Sequence, residues 1–251
     1  MTDGSYRETA EIAGNVAIGE GVVFAGPGIQ LQQDVRIDAA VVIGEGVTVG
    51  RGAWIRPGSV VLRSVPANSI VEGNPAEVVG YVANDSSRSL RQPRLIDLRQ
   101  YADIERPAKI DLGIGACALY AMRSITDPRG ALTVGEVGEE LPFAPARYFA
   151  VHSVPSVELR GEHAHKECQQ FLLCVHGSCR ILLDDGNERC EMTLDRPDYG
   201  VFMPSMIWGT QYRYSADAVL MVFASHNYDA GDYLRTYEEF LAEKDRKKGA
   251  S

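Results

Sequence analysis

From Leu31 to Val61 an aliphatic residue returns at every sixth position: Leu31, Ile37, Ile43, Val49, Ile55 and Val61. A second series, Ile29, Val35, Val41, Val47, Ala53 and Ser59, keeps the same step two residues ahead. A period of six fits neither an α-helix nor a hairpin sheet. It marks a solenoid, in which no repeat has a core of its own and each buries its apolar face only by stacking on its neighbours. Gly44, Gly46, Gly50, Gly52 and Gly58 suit the tight corners between such short strands.

The repeat ends in Ser64-Val65-Pro66-Ala67-Asn68-Ser69-Ile70-Val71-Glu72-Gly73-Asn74-Pro75-Ala76. With this ending it resembles the hexapeptide-repeat acyltransferases over about residues 12–82. The resemblance implies a left-handed parallel β-helix of triangular section, and a closing segment that lies beside coenzyme A in the sugar acetyltransferases of that family. Two departures bear on activity. Many of those enzymes use a histidine base, and the first histidine here is His152, far beyond the repeat. The repeat also has only about three to four coils and lacks the loop that often covers the sugar. The expectation for residues 1–82 is therefore an assembly module that makes trimers or dimers of trimers. Acetyl transfer by a bifunctional enzyme is the alternative.

Over residues 83–115 the periodicity stops, and Asn84-Asp85-Ser86-Ser87-Arg88-Ser89, Gln92-Pro93-Arg94 and Glu105-Arg106-Pro107 read as a linker with room for one short ordered piece. Residues 116–251 change to period two, with strands predicted around Ala118–Met122, Phe171–Val175 and Val219–Phe223. Turn signals at Asp127-Pro128-Arg129-Gly130 and Asp184-Asp185-Gly186-Asn187 separate them. Many short strands at this spacing predict a jelly-roll barrel. The apolar spacing over Asp232–Leu241 predicts a terminal helix packed on it. The fold class is all-β, a short β-helix followed by a jelly roll with a C-terminal helix.

Within the second part, His163 and His165 alternate on a predicted strand and so share one face. A metal site would need further donors. Gln169 and Gln170 stand where a metal-binding cupin carries Glu, and Trp208-Gly209 where it carries its last histidine. The pair is therefore read as metal-free acid/base chemistry, the natural work of neutral imidazole near pH 7.

Several spaced motifs lie around the pair: Asp127-x-Arg129-Gly130-x-Leu132, Arg160-Gly161-x-His163-Ala164-His165-Lys166, Gly177-Ser178-x-Arg180, Trp208-Gly209-Thr210-Gln211-Tyr212 and Ala224-Ser225-x-x-Tyr228-Asp229-x-x-Asp232-Tyr233. On these, residues 116–243 are similar to the WxcM-like sugar-nucleotide 3,4-ketoisomerases, which have the cupin fold. The resemblance implies conversion of dTDP-4-keto-6-deoxyglucose to a 3-keto-6-deoxyhexose through an enediolate, on the way to dideoxyamino sugars, with no cofactor. His163 and His165 match the family's catalytic pair, and which acts as base stays open. Arg160 and Arg147 become candidates for holding the substrate, with a salt bridge as the other reading of Arg160. Gln170 and Trp208 are expected to line the pocket, with a core position as the other reading of Trp208, and Tyr212 is a candidate for contacting the nucleotide, with a strand-surface position as its other reading. In Arg147-Tyr148-Phe149-Ala150, strand alternation decides whether the hydroxyl of Tyr148 or the bare ring of Phe149 faces the site. A non-catalytic sugar-nucleotide scaffold is the reading from another class.

A net charge of −9 argues against nucleic acid as a partner. No apolar run approaches the length of a membrane span, and the start Met1-Thr2-Asp3-Gly4-Ser5 lacks a secretion pattern, so a cytoplasmic protein is expected. The five cysteines show no Cys-x-x-Cys spacing and read as buried free thiols.

Overall fold

Both six-residue series point inward. Leu31, Ile37, Ile43, Val49, Ile55 and Val61 are buried, and so are Ile29, Val35, Val41, Val47, Ala53 and Ser59. The strands between them are two residues long, such as Arg36–Ile37, Val42–Ile43, Thr48–Val49, Trp54–Ile55 and Val60–Val61. Each lies parallel on a strand one coil away: Val42 pairs with Val23 on one side and Val60 on the other, and Trp54 pairs with Arg36. The result is a left-handed β-helix of about three turns. Gly50 occupies a corner where a Cβ would lie 2.5 Å from the Ala67 nitrogen, so the coils close only without a side chain there. An antiparallel pair, Ser69–Gly73 with Ala76–Tyr81, ends the helix and stacks on Trp54–Ile55.

The computed structural model describes residues 10–82, 93–154 and 159–249. Its two units divide between Gln92 and Pro93. In the second, one six-stranded sheet runs in the order Arg94–Ile96, Arg189–Leu194, Cys179–Asp184, Trp208–Tyr212, Arg160–His165, Tyr233–Leu234. The other runs Ala108–Asp111, Ala118–Ala121, Tyr199–Met203, Gln170–His176, Val219–Ala224, Arg147–His152. Alternate residues of both sheets, among them Ile181, Leu183, Met192, Leu172, Val201 and Val222, form one buried core between them. This is the expected jelly roll, and all five cysteines are buried as free thiols.

Two boundaries differ from expectation. The linker read over 83–115 is ordered from Pro93 onward: Arg94–Ile96 pairs in parallel with Cys190–Met192, and Ala108–Asp111 pairs with Ala118–Ala121. These edge strands are too short to show a period, and residues 83–92 lie outside the described ones. The terminal helix begins at Tyr237, later than Asp232. Its start is fixed by a capping box, in which Thr236 Oγ1 accepts from the Glu239 N–H at 3.2 Å and Glu239 Oε2 accepts from the Thr236 N–H at 3.2 Å. That frees Tyr233–Leu234 to pair with the histidine strand. Among the described residues no helix is long and apolar enough to cross a membrane.

Candidate active site

Strand parity decides which side chains meet. Gly209 and Gln211 lie opposite Leu183 and Ile181, which face the core. Across the next gap His163 pairs with Gly209 and Arg160 with Gln211, so His163 shares the core-facing side. A β-bulge interrupts this pairing between Gly161 and His163, with left-handed backbone at Gly161 (φ 76°) and Glu162 (φ 53°). Such a bulge absorbs one residue and re-aims its neighbours. His163 and His165 are brought together with ring centroids 5.0 Å apart, edge to face.

Each imidazole is tied at Nδ1. His163 Nδ1 donates to the Gly161 carbonyl at 2.8 Å, and His165 Nδ1 donates to Asp232 Oδ2 at 2.7 Å. Acceptors at Nδ1 place that proton and leave Nε2 with its lone pair. His165 Nε2 lies 3.0 Å from Gln170 Nε2, which donates to it. Asp232 also accepts the N–H groups of Glu167 and Cys168, at 2.8 and 3.3 Å.

Burial pushes His163 down to about 4, against the Gly161 hydrogen bond, with His165 and Arg235 lowering it further. Burial also lowers His165, partly offset by the hydrogen bond and charge of Asp232. Both shifts favour the neutral imidazole at pH 7. For Asp232, burial acts to raise the carboxyl, but the N–H of Glu167 and the contact with His165 outweigh it and hold it below the usual range. Glu162, on the bulge, is pushed up to about 7 by burial.

Tyr233 pairs directly with His165 across the sheet, its ring 4.3 Å from His165 and 4.9 Å from His163. Arg147 reaches it from the other sheet, with Nη2 3.4 Å from the Tyr233 hydroxyl. The Arg147 guanidinium also lies over Phe149 and Tyr228. Alternation resolves the Tyr148 question: Phe149 is half-buried on the side of Arg147, and Tyr148 is exposed.

Of the residues proposed from sequence, His163, His165, Gln170 and Arg147 converge. Arg160 is exposed at the start of the histidine strand, in register with Gln211. Trp208 and Tyr212 do not join them, because they have the opposite parity to Gly209 and Gln211. Trp208 packs on Tyr237 and Phe240 of the terminal helix, at 5.4 and 5.9 Å. Tyr212 is buried, its phenol raised by burial and by the Glu191 charge beside Arg180. Asp232, Tyr233 and Glu162 were absent from the sequence candidates. Their signal lay in the Tyr228-to-Tyr233 motif and in the Gly161-Glu162 step.

His165, Cys168 and Asp232 offer three donor atoms within 4.8 Å of one another. The His165 and Asp232 donors are already hydrogen-bonded to each other, an arrangement that suits proton transfer. A second acidic group, Glu136, Glu139 and Glu140, surrounds the guanidinium of Arg123.

The fold and this cluster define a jelly-roll protein with a carboxylate-backed histidine pair. The family described as FdtA, WxcM-like, C-terminal, matches residues 115–245, and the chain belongs to it. A TDP-4-oxo-6-deoxy-α-D-glucose-3,4-oxoisomerase of Aneurinibacillus thermoaerophilus is 42% identical over 118 residues, 47% of this chain and 85% of that one. A 3,4-ketoisomerase of Thermoanaerobacterium thermosaccharolyticum, solved as a histidine-to-asparagine variant with TDP-4-keto-6-deoxyglucose, matches with a TM-score of 0.50 and 31% identity, over 52% of this chain and 94% of that one. A 2,3,4,5-tetrahydropyridine-2,6-dicarboxylate N-acetyltransferase of Staphylococcus aureus (strain JH9) is 42% identical over 72 residues, 26% of this chain and only 30% of that one.

Proposed function

We propose that this protein is a sugar-nucleotide isomerase that moves the carbonyl of dTDP-4-keto-6-deoxyglucose from C4 to C3, in a route to dideoxyamino sugars. The observation that carries the reading is the histidine pair, with two neutral imidazoles on one face and both Nδ1 protons committed elsewhere. Such a pair can accept the proton lost from C3 and return one to C4. The family membership and the oxoisomerase relative support the reaction. The complex of the Thermoanaerobacterium enzyme supports the substrate.

Arg147, beside His165, is proposed to oppose the charge that develops on the enediolate oxygens. Arg160 is proposed to meet the diphosphate at the mouth of the pocket. The reaction needs no metal or other cofactor on this reading, since the imidazoles and Asp232 are engaged as a proton-transfer set. The first unit, residues 1–82 as read from sequence, is proposed to assemble the chain. Acetyl transfer is disfavoured by the lack of any histidine before His152. A cytoplasmic location is likewise proposed, where sugar nucleotides are made.

Incubation of chelator-treated protein with dTDP-4-keto-6-deoxyglucose in deuterated water, followed by proton NMR, tests the reading. The 3-keto product is expected, with deuterium at C4 to the extent that the imidazolium exchanges its proton with solvent before C4 is protonated. Intact substrate, or turnover only after a metal is added back, would overturn it.

A further inference from the structure

A ketone-to-ketone shift moves two protons, one between carbons and one between oxygens. In the substrate, C3 carries a hydrogen and a hydroxyl while C4 carries the carbonyl. In the product these are exchanged. The histidine pair accounts for the carbon-bound proton, and the oxygen-bound one needs a donor that can also accept.

Tyr233 has the position for it. Its ring contacts both imidazoles, at 4.3 and 4.9 Å, closer than they are to each other. Arg147 donates to its hydroxyl oxygen at 3.4 Å, which leaves the O–H proton free to point elsewhere. Arg235 stacks on the ring at 4.6 Å, so two guanidinium groups flank the phenol. The facing strand supplies no hydroxyl, because Phe149 takes its inward place and Tyr148 is exposed. Tyr228 packs on Tyr233, and it is itself 61% exposed.

We propose that Tyr233 is a catalytic residue, the acid and base that carries the proton from O3 to O4. This assignment rests on the isomerase reading above. An imidazole of the pair takes the C3 proton, the C–H electron pair becomes the C3–C4 double bond, and the C4 carbonyl pair moves onto O4. Tyr233 gives its hydroxyl proton to O4 and becomes a phenolate beside Arg147. The phenolate then takes the O3 proton, the O3 electrons form the new carbonyl, and the imidazolium protonates C4. Tyrosine and imidazole end as they began.

The test compares wild type, Tyr233→Phe and the control Tyr148→Phe on dTDP-4-keto-6-deoxyglucose by NMR. The phenylalanine keeps the ring contacts, and matching circular dichroism and thermal melting would show that the pocket is intact. Tyr233→Phe is expected to lower kcat about 10²-fold with KM within about threefold, the loss of an acid/base group, while Tyr148→Phe stays at the wild-type rate. An active wild type with an unimpaired Tyr233→Phe, or one impaired in KM alone, would overturn the Tyr233 assignment and leave the isomerase reading standing. An inactive wild type would overturn both.

Discussion

His165 Nδ1 donates to Asp232 Oδ2 across 2.7 Å, joining two residues 67 positions apart. The bond fixes the imidazole tautomer, because the carboxylate can only accept. It exists because Tyr233–Leu234 adds to the edge of the sheet beside the histidine strand, which delivers Asp232 at the end of that pairing.

Asp232→Asn should therefore do two separable things. Its neutral amide accepts at one atom and donates at the other, so either the Oδ2 position that accepts from His165 and the Cys168 N–H or the Oδ1 position that accepts from the Glu167 N–H meets a donor, and the negative charge that supports an imidazolium at His165 is lost. Turnover is expected to fall about 10²-fold or more. Leaving buried donors unmatched should also cost about 1–3 kcal/mol of stability. Steady-state kinetics and urea unfolding would read the two effects. Wild-type turnover in a folded variant would show that Asp232 does not set the state of His165.

The pH dependence of stability should be governed by two neighbours that pull in opposite directions. Between about 4 and 6.5 the unfolded chain binds a proton at His163 that the native protein refuses, so stability rises with pH. Between 4.5 and about 7 the native protein keeps a proton on Glu162 that the unfolded chain has lost, so stability falls as pH rises. Each slope is at most about 1.4 kcal/mol per pH unit, and the windows overlap. His165, also lowered by burial, adds to the first slope. Glu162→Gln removes the opposing one. Its melting temperature should climb more steeply than that of wild type from about pH 5 to 7 and exceed it above pH 7. A profile parallel to wild type would show that Glu162 is ionised normally.

The β-helix was legible because its period is enforced at every coil: each inward position from Leu31 to Val61 must be apolar or small, so the sequence repeats the fold. The histidine pair was legible for a similar reason, since alternation on one strand is a local property. Contacts set by register were not. Trp208 and Tyr212 alternate correctly with each other, but sequence does not say which parity of a strand faces inward when Gly209 and Gln211 are the alternatives. Asp232 and Tyr233 were hidden by the apolar spacing that runs on into the helix. The Thr236–Glu239 capping box was the signal that would have separated them.

That parity favours the core reading of Trp208 over the pocket reading that the sequence left beside it. Because Trp208 packs edge-on against Tyr237 and near Phe240, Trp208→Ala should loosen the terminal helix at a cost of about 2 kcal/mol, less than for a fully buried tryptophan. KM for the sugar nucleotide should stay within about twofold of wild type. Thermal unfolding and initial-rate kinetics would check both. A large rise in KM without loss of stability would return Trp208 to the pocket.

Assembly can be tested with a cut placed by the strand pairing. Truncation near residue 116, where period two begins, would remove Arg94–Ile96 from the edge beside Arg189–Leu194 and Ala108–Asp111 from the edge beside Ala118–Ala121. Both sheets would then present unpaired backbone, a route to aggregation that would obscure the result. A fragment beginning at Pro93 keeps both edges covered. If the β-helix organises the protein, light scattering should give a multiple of three chains for the full length, and the fragment should lose the threefold order while staying soluble. A monomeric full-length protein would refute trimerisation. A fragment with the full-length stoichiometry would move the organising surface to the jelly roll.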